Sequence, residues 1–205
     1  VRPGVEGVGF SSALIDELER EYHIDARRVY STGISNGGMF SLRLACELSD
    51  KIAAVAPVAA LMGEVLSQTC SPPQPVPVMF VMGKDDPLVP WEGGKVGTPR
   101  LDRGRVLPAA DSISFWVAVD GCSENPAVIY LPDAEPGDGT RVRRETYAGG
   151  RNGSEVVMLV VEGGGHTWPG GEQYARELGI GATSRDIDAG EVIWEFCERF
   201  RIDIP

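Results

Sequence analysis

The sequence predicts an α/β fold: a mostly parallel sheet covered by helices on both faces. Three observations predict it. The runs "IAAVAPVAA", "VPVMFVMG" and "EVVMLVVEG" are apolar almost throughout, which suits parallel strands buried on both faces. Segments with apolar residues at helical spacing lie between such runs, so strand and helix alternate along the chain. At 205 residues and 42% hydrophobic, the chain can bury one sizeable core and is short for two, so residues 1–205 read as a single domain.

In chain order, Phe10, Leu14, Ile15, Leu18 and Tyr22 recur at helical spacing and predict an amphipathic helix from roughly Gly9 to His23. "RRVYST" reads as a short strand. After a pair of glycines, "MFSLRLACEL" is helical, and the first two apolar strands follow. Ile113, Phe115, Trp116 and Val119 mark a helix over Ala109 to Val119. "AVIYLPDAEPGDGTRVRRETY" is two strand-like runs joined by a turn rich in Pro, Gly and Asp, a hairpin or a pair of edge strands. Beyond the third apolar strand, Asp188 stands three residues before Glu191, as in a capping box, and opens a helix with Ile193, Phe196, Cys197 and Phe200 on one face. About four buried parallel strands result.

Thirty acidic residues against nineteen basic give a formal charge of -11, which argues against a broad electrostatic footprint for nucleic acid or an anionic membrane. Neutral or small partners are expected. No apolar run approaches the roughly 20 residues that span a bilayer, and the N-terminus lacks the basic and apolar regions of a signal peptide. The chain begins with Val1, so removal of an upstream segment is expected. Cys46, Cys70, Cys122 and Cys197 form no C-x-x-C pair, and only His23 and His166 could join them, so neither a metal site nor another cofactor is expected. Four cysteines in an acidic, Lys-poor chain fit an oxidising compartment; three pairings are possible and the spacing selects none.

Three segments carry candidate chemistry. In "YSTGISNGGMF", Gly33-x-Ser35-x-Gly37 lies directly after a strand and before a helix, the placement of a nucleophile elbow. A tight structural turn is the other reading, because three fixed letters recur readily among 26 glycines. In "MFVMGKDDPLVP", an apolar strand runs out into Asp85 and Asp86 at the edge where parallel sheets bind ligands, although Asp before Pro also marks a turn. In "VVEGGGHTWPGG", His166 follows three glycines at the end of the last apolar strand, while His23 reads as a solvated histidine. Ser, Asp and His in that order, each after a parallel strand, is the chain order of α/β-hydrolase triads. In such a site His166 takes the proton of Ser35, an acid fixes the imidazole tautomer, and the backbone N–H of Asn36 is one oxyanion donor.

"RRVYSTGISNGGMFSLRLACE", "MGKDDPLVPWEGG", "DGTRVRRETY" and "GGGHTWPGG" together resemble the secreted esterase family of poly(3-hydroxybutyrate) depolymerases and feruloyl and acetylxylan esterases, over nearly the whole chain. "SNGGM" and "GGGHTWPGG" are its specific parts. The family pattern of a glycine, two residues, the acid and then a V-P pair implies Asp86 rather than Asp85 as the triad acid. The resemblance implies an α/β-hydrolase fold and a serine carboxylesterase acting without cofactor on feruloyl or acetyl polysaccharide esters or hydroxyalkanoate esters. It also implies a secreted or periplasmic location. Trp91 and Trp168 flank the two loops, where they line an acyl or sugar site or serve only packing.

Three departures from the family matter. Met82 stands where many relatives have histidine before the glycine, and "AGGRNG" lacks the cysteine that pairs with Cys122 in relatives, which leaves Cys122 free. Ser35 comes early, so the first strands and the loop with the second oxyanion donor are expected to be missing from this chain. A longer protein, self-association through the uncovered sheet edge, or a truncated relative would account for that. Two other readings stay open: a non-catalytic α/β-hydrolase-like module that binds a carbohydrate or a partner, and a serine peptidase or dienelactone-hydrolase-like enzyme using the same triad.

Overall fold

A computed structural model of the chain describes residues 7–98, 101–175 and 179–203. Among the described residues there are eight strands: β1 (Tyr30–Ile34), β2 (Ala54–Val58), β3 (Val78–Gly83), β4 (Gly94–Thr98), β5 (Leu101–Val106), β6 (Ala127–Tyr130), β7 (Arg141–Tyr147) and β8 (Val156–Glu162). The helices are α1 (Gly7–Glu21), α2 (Asn36–Glu47), α3 (Glu64–Ser67), α4 (Ala109–Asp120) and α5 (Ala189–Cys197). Six strands form one sheet in the order β1-β2-β3-β8-β7-β6, and β4 with β5 makes a separate antiparallel pair. The first four strands of that sheet are parallel, whereas β7 and β6 extend it antiparallel beside β8. This mostly parallel sheet with helices on both faces is an α/β-hydrolase fold.

The core follows from strand alternation. Val78, Phe80 and Met82 of β3 and Val156, Met158 and Val160 of β8 face α2 and α4, where they bury Leu42, Ala45, Ile113, Trp116 and Val117. Met79 and Val81, with Val157, Leu159 and Val161, point the other way onto Ile193, Phe196 and Cys197 of α5. A strand clad on both faces has no wet side, which is why these runs read as continuous apolar sequence. β1 is different: it is an edge strand, half-buried where the sequence predicts a buried one, and β2 alone pairs with it among the described residues.

α2 begins at Asn36, earlier than expected, because the glycines belong to its first turn. A side chain on Gly38 would put its Cβ 2.7 Å from the Ala60 Cβ and 2.8 Å from the Gly33 carbonyl oxygen. Glycine there lets the helix pack directly on the strand ends. The capping residue foreseen for α5 is in place, since the Asp188 carboxylate accepts from the N–H groups of Gly190 and Glu191 at 2.8 and 3.1 Å.

Cys46 and Cys70 form a disulfide that ties the end of α2 to the segment after α3, closing a separation of 24 residues. Such a bridge contributes roughly 3–4 kcal/mol, mainly by constraining the unfolded chain. Cys122 and Cys197 are free. A Cβ on Gly150 would lie 2.7 Å from the Cys122 sulfur, so the "AGGRNG" segment packs directly against this free thiol.

No described helix is long and apolar enough to cross a membrane. Among the described residues no cluster of His, Cys, Asp or Glu could hold a metal ion.

Candidate active site

The three candidate residues follow β1, β3 and β8 at their carboxyl ends, on one edge of the sheet. Backbone bonds continue past the strands and lock these ends together: the Ser35 N–H donates to Val58 O, Ala59 N–H to Val81 O, and Lys84 N–H to Val161 O, at 2.8, 2.8 and 2.9 Å. The loops that carry Ser35, Asp86 and His166 therefore have little freedom to move independently.

Ser35 adopts φ 57° and ψ -117°, a conformation that non-glycine residues rarely take. Strain of this kind costs on the order of 1–3 kcal/mol and persists only where the surroundings impose it. The residue stands at the N-cap of α2, where a serine hydroxyl ordinarily accepts from a helix N–H, yet Ser35 makes no such bond. Its hydroxyl is left for other chemistry. The next residue, Asn36, is exposed, and as the first residue of α2 its N–H has no carbonyl four residues back within the helix to bond.

Asp86 and His166 are brought together. His166 Nδ1 lies 2.7 Å from Asp86 Oδ2, and both side chains are nearly sealed from solvent. The other carboxylate oxygen, Oδ1, accepts from the backbone N–H groups of Leu88 and Val89 at 2.7 and 2.8 Å. Every face of the carboxylate that could wander is thus occupied. Asp85, the rival acid, is exposed, and its backbone N–H serves to bond Gly164 O at 3.0 Å. Among the described residues no hydrogen bond joins Ser35 to His166. Catalytic hydrogen bonds are often long before substrate binds and tighten afterwards.

The triple glycine before His166 has a packing cause. A Cβ on Gly165 would fall 2.0 Å from Ile180 O, because the segment around residues 180–182 passes directly beneath the histidine loop. That segment accepts from the histidine loop twice, His166 N–H to Ile180 O at 2.6 Å and Gly165 N–H to Ala182 O at 2.9 Å. Two residues not anticipated from the sequence complete the clasp. The Tyr174 hydroxyl donates to His166 O at 2.9 Å, and Gln173 donates to Gly181 O and accepts from Thr183 N–H. Burial, and then the charge of Asp86, raise the Tyr174 phenol above its ordinary value, so it remains a donor at neutral pH. No local pattern announces these two, since their partners are main-chain atoms.

The tryptophans are separated. Trp91 packs against the core on the α2 and α4 side, and Trp168 against the core on the α5 side. Each is half-buried and supports its own loop. His23 is exposed, beyond the end of α1 and before β1.

No family profile matches the chain. Among curated proteins, it is 36% identical over 195 residues to NocK of Nocardia uniformis subsp. tsuyamanensis, an esterase by provisional naming, with 92% of this chain and 56% of NocK covered. It is 31% identical over 195 residues to feruloyl esterase D of Neurospora crassa, covering 95% of this chain and 56% of that protein. Feruloyl esterase B of Piromyces equi is 29% identical over 163 residues, 78% of this chain and 29% of that protein. The chain spans little more than half the length of the first two relatives and under a third of the last.

Proposed function

Because the chain belongs to an esterase family of the feruloyl type, we propose that it is a serine carboxylesterase whose triad is Ser35, His166 and Asp86. The observation that carries this reading is the Asp86–His166 bond, buried at the strand edge that also holds the strained Ser35 elbow. With Nδ1 held by the carboxylate, the imidazole offers Nε2 as the base. His166 takes the Ser35 proton as the hydroxyl attacks the ester carbonyl, then returns it to the leaving alcohol. Asp86 holds the tautomer and stabilises the imidazolium. The Asn36 N–H, at the positive end of α2, donates to the oxyanion. Water then attacks the acyl-enzyme by the reverse route.

The acyl group is read from the relatives' names: feruloyl or acetyl esters of polysaccharides are the proposed substrates, ahead of hydroxyalkanoate polyesters. A secreted or periplasmic setting agrees with the Cys46–Cys70 disulfide, a bond that persists in oxidising compartments. One rival, a non-catalytic module that keeps the elbow as scaffold, is favoured by the absence, among the described residues, of a hydrogen bond from Ser35 to His166.

Hydrolysis of methyl ferulate and p-nitrophenyl acetate by this chain and by its Ser35→Ala variant separates the two. The esterase reading expects turnover that falls at least about 10³-fold in the variant. Equal rates in both proteins, or none in either when folded, would sink it.

A further inference from the structure

The sheet face beneath α5 is only partly covered. α5 lies over β2 and β3, while β7 and β6 extend the same face beyond it. Between them lies a cavity of about 230 Å³. Polar and apolar atoms share its surface: Leu131 and Val192 line its sides, above Met79, Leu159 and Phe196, which are buried. Three charged residues also line it, and they are not equivalent.

Arg199 is committed elsewhere: its guanidinium pairs with Glu155 and lies over the rings of Phe196 and Phe200 at 5.2 and 4.9 Å. Glu195 is exposed on the outer rim, where solvent hydrates it. Arg144 is half-buried on β7, in register with Leu159 of β8 and on the same face as the buried Val142. It spends its Nε on Thr146 Oγ1 at 3.2 Å, and among the described residues no carboxylate lies within ion-pair reach of it. A half-buried guanidinium lacking an anion is unexpected in a chain with thirty acidic residues. The remaining guanidinium N–H groups have a planar fork suited to two carboxylate oxygens.

We propose that this cavity binds a small amphipathic carboxylate, its apolar body against Leu131 and Val192, over the buried Met79, Leu159 and Phe196, and its anionic end on Arg144. The size sets the class. At about 230 Å³ the cavity is below the usual range of about 300–1,000 Å³ for drug-sized ligands, so it takes one ring or a short acyl chain and excludes an oligosaccharide. The apolar side chains of Leu131 and Val192 disfavour inorganic phosphate or sulfate, which would turn some of their oxygens onto hydrocarbon. Arg144 lies opposite the middle of β8, whereas Asp86 and His166 follow the strand ends, so this site is separate from the candidate triad. The proposal does not rest on esterase activity.

The test uses the Ser35→Ala protein, ¹⁵N-labelled, titrated with cinnamate, hexanoate and, as a neutral control, cinnamyl alcohol. Saturable shifts are expected around Leu131, Arg144, Leu159 and Val192, with the alcohol at least about tenfold weaker. Arg144→Leu should weaken cinnamate about tenfold or more, and Val192→Phe, which fills the cavity from the helix side, should do the same independently. Shifts confined to the Ser35 and His166 loops would place the acid in the active site and overturn the proposal. So would equal binding of acid and alcohol, unchanged affinity in Arg144→Leu, or no binding up to about 10 mM.

Discussion

Asp86 and Asp120 are both buried carboxyl groups at the end of an element, yet the protein treats them differently. Asp86 has both oxygens engaged, one by two backbone N–H groups and the other by His166. Asp120, at the end of α4, accepts from Val76 N–H at 3.0 Å through Oδ1, while its Oδ2 is buried and has no partner. Burial pushes the Asp120 carboxyl up to about 7, and the Val76 bond and the Arg151 charge offset only part of that push. Burial by itself thus makes a strained structural acid. A candidate catalytic acid is made by a full set of partners that includes an imidazole.

The contrast is sharpest in turnover. Asp86→Asn keeps the shape but removes the charge that holds the His166 tautomer, and esterase activity should fall roughly 10⁴-fold. Asp120→Asn, far from the three strand ends, should leave activity within about twofold. A loss of similar size in both variants would break the distinction.

Stability against pH reverses the roles. The folded-state value of Asp120 lies above its ordinary 3.8. The stability attached to its neutral form is therefore fully present below about pH 4 and is lost as the pH rises through about 7. Denaturant unfolding should show the wild type losing a few kcal/mol more than Asp120→Asn between about pH 4 and pH 8. Parallel curves for the two proteins would contradict the assignment.

Backbone packing gives smaller effects. Gly165→Ala forces a methyl group against Ile180 O and should cost about 2 kcal/mol while displacing His166, seen as lower melting temperature together with lower turnover. Gly37→Ala is the control. Nothing lies within 4 Å of a Cβ there, so stability should change by less than about 0.5 kcal/mol although Gly37 belongs to the Gly-x-Ser-x-Gly pattern.

The central strands were legible because β3 and β8 are clad on both faces and their apolar runs have no other use. The strand ends carrying Asp86 and His166 followed from the same runs, whereas that of Ser35 rested on the short run "RRVYST" before the Gly-x-Ser-x-Gly pattern. The preference for Asp86 over Asp85 came from the resemblance alone, and the structure supplies its physical counterpart, a buried side chain against an exposed one. The β4–β5 pair was not legible: "GKVGT" and "LDRGRV" carry glycine and charge where a strand signal needs β-branched or aromatic alternation. Trp91 and Trp168 could not be divided between two faces from sequence, since that depends on which core each loop folds over. The clasp by Gln173 and Tyr174 was invisible for the same reason, its partners being carbonyl and N–H groups brought near by tertiary packing.

The most direct measurement is the rate of fluorophosphonate labelling, with the modified peptide identified by mass spectrometry, in the wild type, Asp86→Asn and Asp120→Asn. The account predicts a single adduct on Ser35, formed at least about 100-fold more slowly in Asp86→Asn and at the wild-type rate in Asp120→Asn. A folded wild type that takes no label, or an Asp86→Asn variant that labels as fast as wild type, would contradict it.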